Sequence, residues 1–177
     1  MPKPIGTKDM KTKEPRPVLD IPRSGCEWAM ETLALLAVVT TLALTIAYWG
    51  ALSDRVPNHF GLSGRPDAWS PKGALLVLPV TAVVLYLGLT ALSRFPHHFN
   101  YLWPITPENA RAQYRLARQL LVNLKVVVVC TFGWILWGTI QTDLEIRSGL
   151  GPAFLPLMEA AILGVIGFYF VKARRVR

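Results

Sequence analysis

Four long apolar stretches alternate with short polar connections along this chain. The first carries no charged residue from Thr32 to Ser53, a run of 22. At about 1.5 Å per residue that is roughly 33 Å of helix, enough to cross a hydrocarbon core of about 30 Å. The second runs from Gly73 to Ser93, preceded by Ser70 and Pro71, a helix-starting pair with serine as N-cap and proline at the first helical position. The third covers Gln119 to Thr142 and is interrupted by Lys125, and the fourth, Pro152 to Val171, is interrupted by Glu159. The pattern predicts an all-α integral membrane protein of four transmembrane helices, with spans at about 30–52, 73–93, 119–142 and 152–171. These form one membrane domain over residues 27–172, between a disordered basic tail (1–26) and a short basic tail (173–177).

Two connections have character of their own. Leu52 to Lys72 is dense in Gly and Pro, which predicts an ordered loop containing a short β-hairpin near residues 57–69. Arg94 to Pro104 is aromatic and proline-rich, as suits an interfacial turn. Thr106-Pro107-Glu108 then reads as a helix start with an acid near the positive end of the dipole. Arg111, Arg115 and Arg118 follow at spacings of four and three, so they share a helical face and are expected to face anionic lipid.

Composition sharpens this picture. Hydrophobic residues make up 52% and charged ones 17%, and their segregation into blocks excludes a soluble domain with a charged outer face. The net charge of +8 resides in the tails and the middle connection, which favours a bilayer with anionic headgroups as partner over nucleic acid. Fourteen lysines and arginines lie in those three segments, against four in the two alternate connections. By the positive-inside rule both termini are cytoplasmic, the protein is multi-pass in the cell (inner) membrane, and the Leu52–Lys72 loop is extracytoplasmic. The first span reads as an uncleaved anchor, because its apolar run is too long for a signal peptide and lacks a cleavage site. Cys26 and Cys130 are too far apart in sequence for a paired metal motif and read as reduced thiols.

The run Pro57-x-His59-Phe60-x-x-x-Gly64-x-Pro66-Asp67-x-Trp69-x-x-Lys72 resembles a bacterial membrane domain of unknown function that also forms the amino-terminal part of SdpI-type immunity and signalling proteins. Phe99-Asn100-Tyr101, with Glu108 to Arg111 and Tyr114 to Arg118, is similar to that family's second recurrent stretch. Here Leu102 and Trp103 intervene before Pro104, where family members place proline directly after the Asn-Tyr pair. The resemblance covers roughly residues 30 to 140. It implies an outer loop that recognises a membrane-active toxin peptide, with a cytoplasmic regulator as a further partner.

The residues themselves offer several sites. His59 and Asp67 are metal-ligand types, but two ligands are too few for a closed zinc site, and the preferred reading is a compact loop with no metal or cofactor. Glu159 inside a span must be protonated, paired or facing water. It reads equally as a proton or cation site of an oligomeric transporter and as a neutral group bonded to a neighbouring helix. Lys125 is its conceivable partner, although snorkelling to the headgroups is the preferred reading. Ala160 and Gly164 permit close packing within the chain or between protomers. No phosphate-binding loop, dinucleotide fingerprint, H-E-x-x-H helix or G-x-S-x-G elbow is present, so no enzyme activity is expected.

Overall fold

The computed structural model describes residues 16–176. The expected disordered tail falls largely on residues 1–15 and lies outside that range. Four helices follow in antiparallel succession: α1 (Gly25–Tyr48), α2 (Val77–Leu92), α3 (Ala110–Asp143) and α4 (Phe154–Arg175). Between α1 and α2 stand two antiparallel strands, β1 (Arg55–Phe60) and β2 (Pro66–Pro71). The fold is therefore a four-helix membrane bundle with a small ordered hairpin. The hairpin and the α3–α4 loop share one end of the bundle, and residues 16–24 and the last turn of α4 share the other with the α2–α3 connection.

Helix α1 starts on a capping box. Ser24 Oγ accepts from the Glu27 amide at 3.3 Å, while Glu27 Oε2 accepts from the Ser24 amide at 2.8 Å. Its buried residues are Glu27, Glu31, Ala34, Val38, Thr41 and Thr45, alternately four and three apart, and this single stripe packs on α3. Gly133 lets the two helices approach, since a Cβ there would stand 2.9 Å from Thr41 Oγ1. The other faces of the bundle are apolar and open: Leu36, Ile46, Val80, Val84, Leu87 and Leu163 are all exposed, as lipid contact requires.

Helix α2 differs from the expected start. Ser70 and Pro71 close β2, and a 3₁₀ turn (Lys72–Leu76) leads into the helix with no side-chain cap. Ser70 is thus a strand residue, because the hairpin extends to 71 rather than ending at 69. With the turn included, the apolar segment spans Lys72–Leu92.

Helix α3 is the hub. Its 34 residues are about 51 Å long, well beyond the hydrocarbon thickness, and it packs against α1, α2 and α4. Thr106 and Asn109 exchange reciprocal side-chain-to-amide bonds (2.9 and 3.4 Å) in a turn just before it. The helix itself starts at Ala110, later than the expected Thr106-Pro107-Glu108 start, and Glu108 lies outside its first turn. Helix α4 leans chiefly on α3, contributes Ala173 as its buried residue, and continues through Arg175, so most of the expected tail at 173–177 is helix. Two apolar clusters fill the interior. Leu52, Val56, Leu75, Leu136 and Ile140 seat the hairpin, and Ala34, Val38 and Val129 join the helices further along.

Candidate functional site

The hairpin divides residues 57–72 into a part that shapes the backbone and a part that is displayed. Val56 and Pro57 are buried beneath it, and Pro66 opens β2 opposite Phe60, both half-buried. Gly64 has φ +74°, and a Cβ there would lie 2.4 Å from the Gly151 carbonyl oxygen. Glycine is therefore required both for the left-handed turn and for the close approach. The Gly64 carbonyl accepts from the Leu150 amide at 2.8 Å, while the Leu150 side chain lies against Gly138 of α3. Lys72 Nζ donates to the carbonyls of Trp49 (3.1 Å) and Leu52 (3.4 Å), so it satisfies the free end of α1. The Asp143 carboxylate accepts from the Ser53 amide at 2.9 Å. Backbone and terminal groups thus tie the hairpin to α1, α3 and the α3–α4 loop.

The displayed part is His59, Asp67 and Trp69. Two irregularities in the ladder, at Asn58 on β1 and Asp67 on β2, bring His59 Nδ1 within 2.5 Å of Asp67 Oδ1. Their side chains are 68% and 53% exposed, and Trp69 is 49% exposed. Among the described residues no third His, Cys, Asp or Glu joins the pair. What it offers is a polar hydrogen-bonding pair close to an exposed indole.

The opposite end holds an ion network whose partners the sequence reading missed. Arg118, expected to face lipid, is buried with its side chain 8% exposed. Its Nε donates to Glu27 Oε1 at 2.6 Å, Nη2 to Glu27 Oε2 at 3.2 Å, and its two Nη atoms to the carbonyls of Ile21 (2.7 Å) and Pro22 (3.1 Å). Residues 16–24 are accordingly not a free tail but a strap across the bundle end. Lys125, expected to snorkel, is fully buried. Its Nζ donates to Glu31 Oε2 and to Thr90 Oγ1 (2.7 Å) and stands 5.0 Å above the Tyr86 ring. Arg23 Nη1 lies 3.2 Å from the other Glu31 oxygen, and its Nη2 donates to Ser93 Oγ at 3.2 Å. A groove of about 470 Å³ beside Arg23, Glu31, Tyr86 and Thr90 opens this network to the surface between α1 and α2.

Both corrections have one physical cause. A charge is too costly to hold in an apolar bundle alone, and a carboxylate from α1 stands opposite each cation. The signal was available: Glu27 and Glu31 are four apart on one face, and Arg118 and Lys125 are seven apart on another. Glu159, by contrast, is exposed on α4 and is not joined to Lys125 or to the His59–Asp67 pair. Arg111 and Arg115 are exposed.

Residues 96–101 brace the strap. Arg16 donates to the carbonyls of His97 (3.2 Å) and Phe99 and lies 5.4 Å over the Tyr101 ring, whose hydroxyl donates to the Pro96 carbonyl at 2.8 Å. Burial, then the Tyr114 and Tyr169 phenols, push the Tyr101 pKa above its ordinary value, against the pull of Arg16. Asn100 is exposed beside it.

Residues 36–83 match the profile of a domain of unknown function, DUF1648. The matched stretch begins inside α1, includes the whole hairpin and ends in the first part of α2. An uncharacterized protein from Archaeoglobus fulgidus is 28% identical over 80 residues, covering 41% of this chain and 44% of that protein. The chain thus spans less than half the length of that curated relative. No solved structure matches. These likenesses and the four apolar helices describe a multi-pass membrane protein similar to an uncharacterised domain family.

Proposed function

We propose that this chain is a recognition protein of the cell (inner) membrane, with both termini cytoplasmic and the hairpin on the extracytoplasmic side. The hairpin binds a membrane-active peptide at its His59–Asp67–Trp69 face, in an immunity or signalling role like that of the SdpI-type proteins it resembles. One membrane domain over residues 27–172 would carry this activity, with the basic termini available to a cytoplasmic regulator. The observation that supports it most is the division of labour in the hairpin. Pro57, Gly64 and Lys72 fix the backbone, while an imidazole–carboxylate pair and an indole are left exposed without a structural task. Rigid presentation of an aromatic group beside polar ones is what a recognition surface needs.

The test uses the protein in lipid nanodiscs with a panel of membrane-active peptides. At least one peptide should bind, and His59→Ala/Asp67→Ala and Trp69→Ala should each lose it while the protein stays folded. Cells lacking the gene should be more sensitive to the same peptide. Equal survival across the panel, with no binding, would overturn the proposal.

A second reading, an oligomeric transporter, draws on Glu159, because a carboxylate exposed on α4 can be shielded from lipid by a neighbouring protomer. Glu159→Gln should then abolish ion flux in reconstituted vesicles. Unchanged flux removes this reading.

A further inference from the structure

Between α3 and α4, at the bundle end opposite the hairpin, is a groove of about 710 Å³. Four cations line it: Arg111 and Arg115 from α3, Lys172 and Arg175 from α4. Its inner wall is apolar, with Leu116 on one helix and Phe168 on the other, and Glu108 is the single acid at the rim. A hydrogen bond from Thr106 holds the Glu108 carboxyl below its ordinary pKa, so the lining keeps a surplus of three positive charges.

These cations differ from those of the ion network at this end of the bundle. Arg23, Arg118 and Lys125 are each engaged by a carboxylate. Among the described residues, none of the four groove cations forms an ion pair or donates a side-chain hydrogen bond. Lys172 merely stands 5.5 Å over the Phe168 ring. Arg111 and Arg115 are four residues apart, and Lys172 and Arg175 three, so each pair places like charges side by side on a helix. The negative end of the α4 dipole relieves the second pair in part but does nothing for the first.

The groove is also held at a fixed width. Gln113 Nε2, buried on α3, donates to the carbonyls of Ala173 (3.2 Å) and Val176 (3.1 Å), which fastens the last turn of α4 to α3. Four aligned cations above an apolar wall, on helices that cross a bilayer, have the form of a lipid site rather than of diffuse surface charge.

The geometry points to a binding site for an anionic phospholipid between α3 and α4. Its phosphate is held by Arg111, Arg115, Lys172 and Arg175, and an acyl chain lies along Leu116 and Phe168. Arginine pairs grip phosphate oxygens with two parallel bonds, and basic pockets between transmembrane helices favour headgroups rich in phosphate. With four cations present, a headgroup bearing two phosphates should be retained more strongly than one bearing a single phosphate. This site is independent of any ligand at the hairpin.

The experiment is native mass spectrometry of the whole protein released from nanodiscs of mixed cardiolipin, phosphatidylglycerol and phosphatidylcholine, with exchange measured in detergent. Cardiolipin should be retained over phosphatidylcholine. Arg111→Gln/Arg115→Gln and Lys172→Gln/Arg175→Gln should each weaken retention roughly tenfold. Arg174→Gln, an exposed change outside the groove, should leave it intact, and Phe168→Ala should weaken lipid retention without altering binding of inorganic pyrophosphate. Circular dichroism confirms that each variant is folded. Equal retention of all three lipids overturns the proposal. So does an equal loss on Arg174→Gln, which would indicate undirected surface charge, or pyrophosphate displacing the lipid as well as a second lipid does, which would indicate a free-anion site.

Discussion

The two ends of the bundle are built by opposite means. At the hairpin end the chain is shaped by its backbone: Gly64 meets Gly151, the Leu150 amide donates to Gly64, and Lys72 caps α1 through carbonyls. The hydrogen-bonded pair there, His59 and Asp67, is left outside. At the other end two carboxylates of α1 and their cations are inside, and Arg118–Glu27 and Lys125–Glu31 clamp α1 to α3 and the strap to both. An ion pair in water contributes little, whereas in an apolar bundle neither partner can be left behind. The same chemistry therefore serves display at one end and cohesion at the other.

The sharpest way to break this contrast is Lys125→Met. It leaves Glu31 buried with Arg23 as its remaining cation, at 3.2 Å and on the groove side. The expected loss is about 3–5 kcal/mol, the cost of separating a buried pair, measured by reversible unfolding in mixed micelles. The double variant Glu31→Leu/Lys125→Met should recover most of it. Additive losses would mean that the two charges are not coupled.

Next comes Gly64→Ala. The substitution strains a residue at φ +74° and drives Cβ against Gly151, so the hairpin must lift from the α3–α4 loop. A cost of about 1–3 kcal/mol is expected, concentrated at this end. Hydrogen exchange should quicken at the Leu150 amide and stay unchanged across α1 near Glu27. Spread of the effect to both ends would erase the division between them.

Arg118→Lys tests the strap. A lysine can meet Glu27 but cannot also reach the Ile21 and Pro22 carbonyls in one planar fork. About 1–2 kcal/mol should be lost, with faster proteolysis at residues 16–24 as the readout. Protection equal to the original protein would show that the strap is held elsewhere, for instance by Arg16 on the Phe99 and His97 carbonyls.

What could be read from the sequence follows the same line. Four spans and a hairpin were legible because length and apolarity set the first, and Gly and Pro punctuate the second. The displayed and buried roles of charges were not, since Arg118 and Lys125 find partners 91 and 94 positions away. Arg111, Arg115 and Arg118 look equivalent on a helical wheel. Yet Arg118 continues the series Val122, Lys125 and Val129, all buried, whereas the other two line the open groove beside α4. Following the core stripe of α3 back past its apolar part would have separated them. Glu27 and Glu31 precede the apolar run, yet the stripe through Ala34 and Val38 already includes them.

The smallest effect on stability is the most telling for function. His59→Ala/Asp67→Ala removes a hydrogen-bonded pair about as short as Arg118–Glu27, but one more than half exposed on both sides. Water replaces what each partner loses, so the change should cost about 0–1 kcal/mol. Unfolding midpoints and exchange at the Leu150 amide should hardly move, while peptide binding to the hairpin should fall away. A large destabilisation would assign the pair to the scaffold with Gly64 and Lys72, and the recognition surface would then shrink to Trp69 alone.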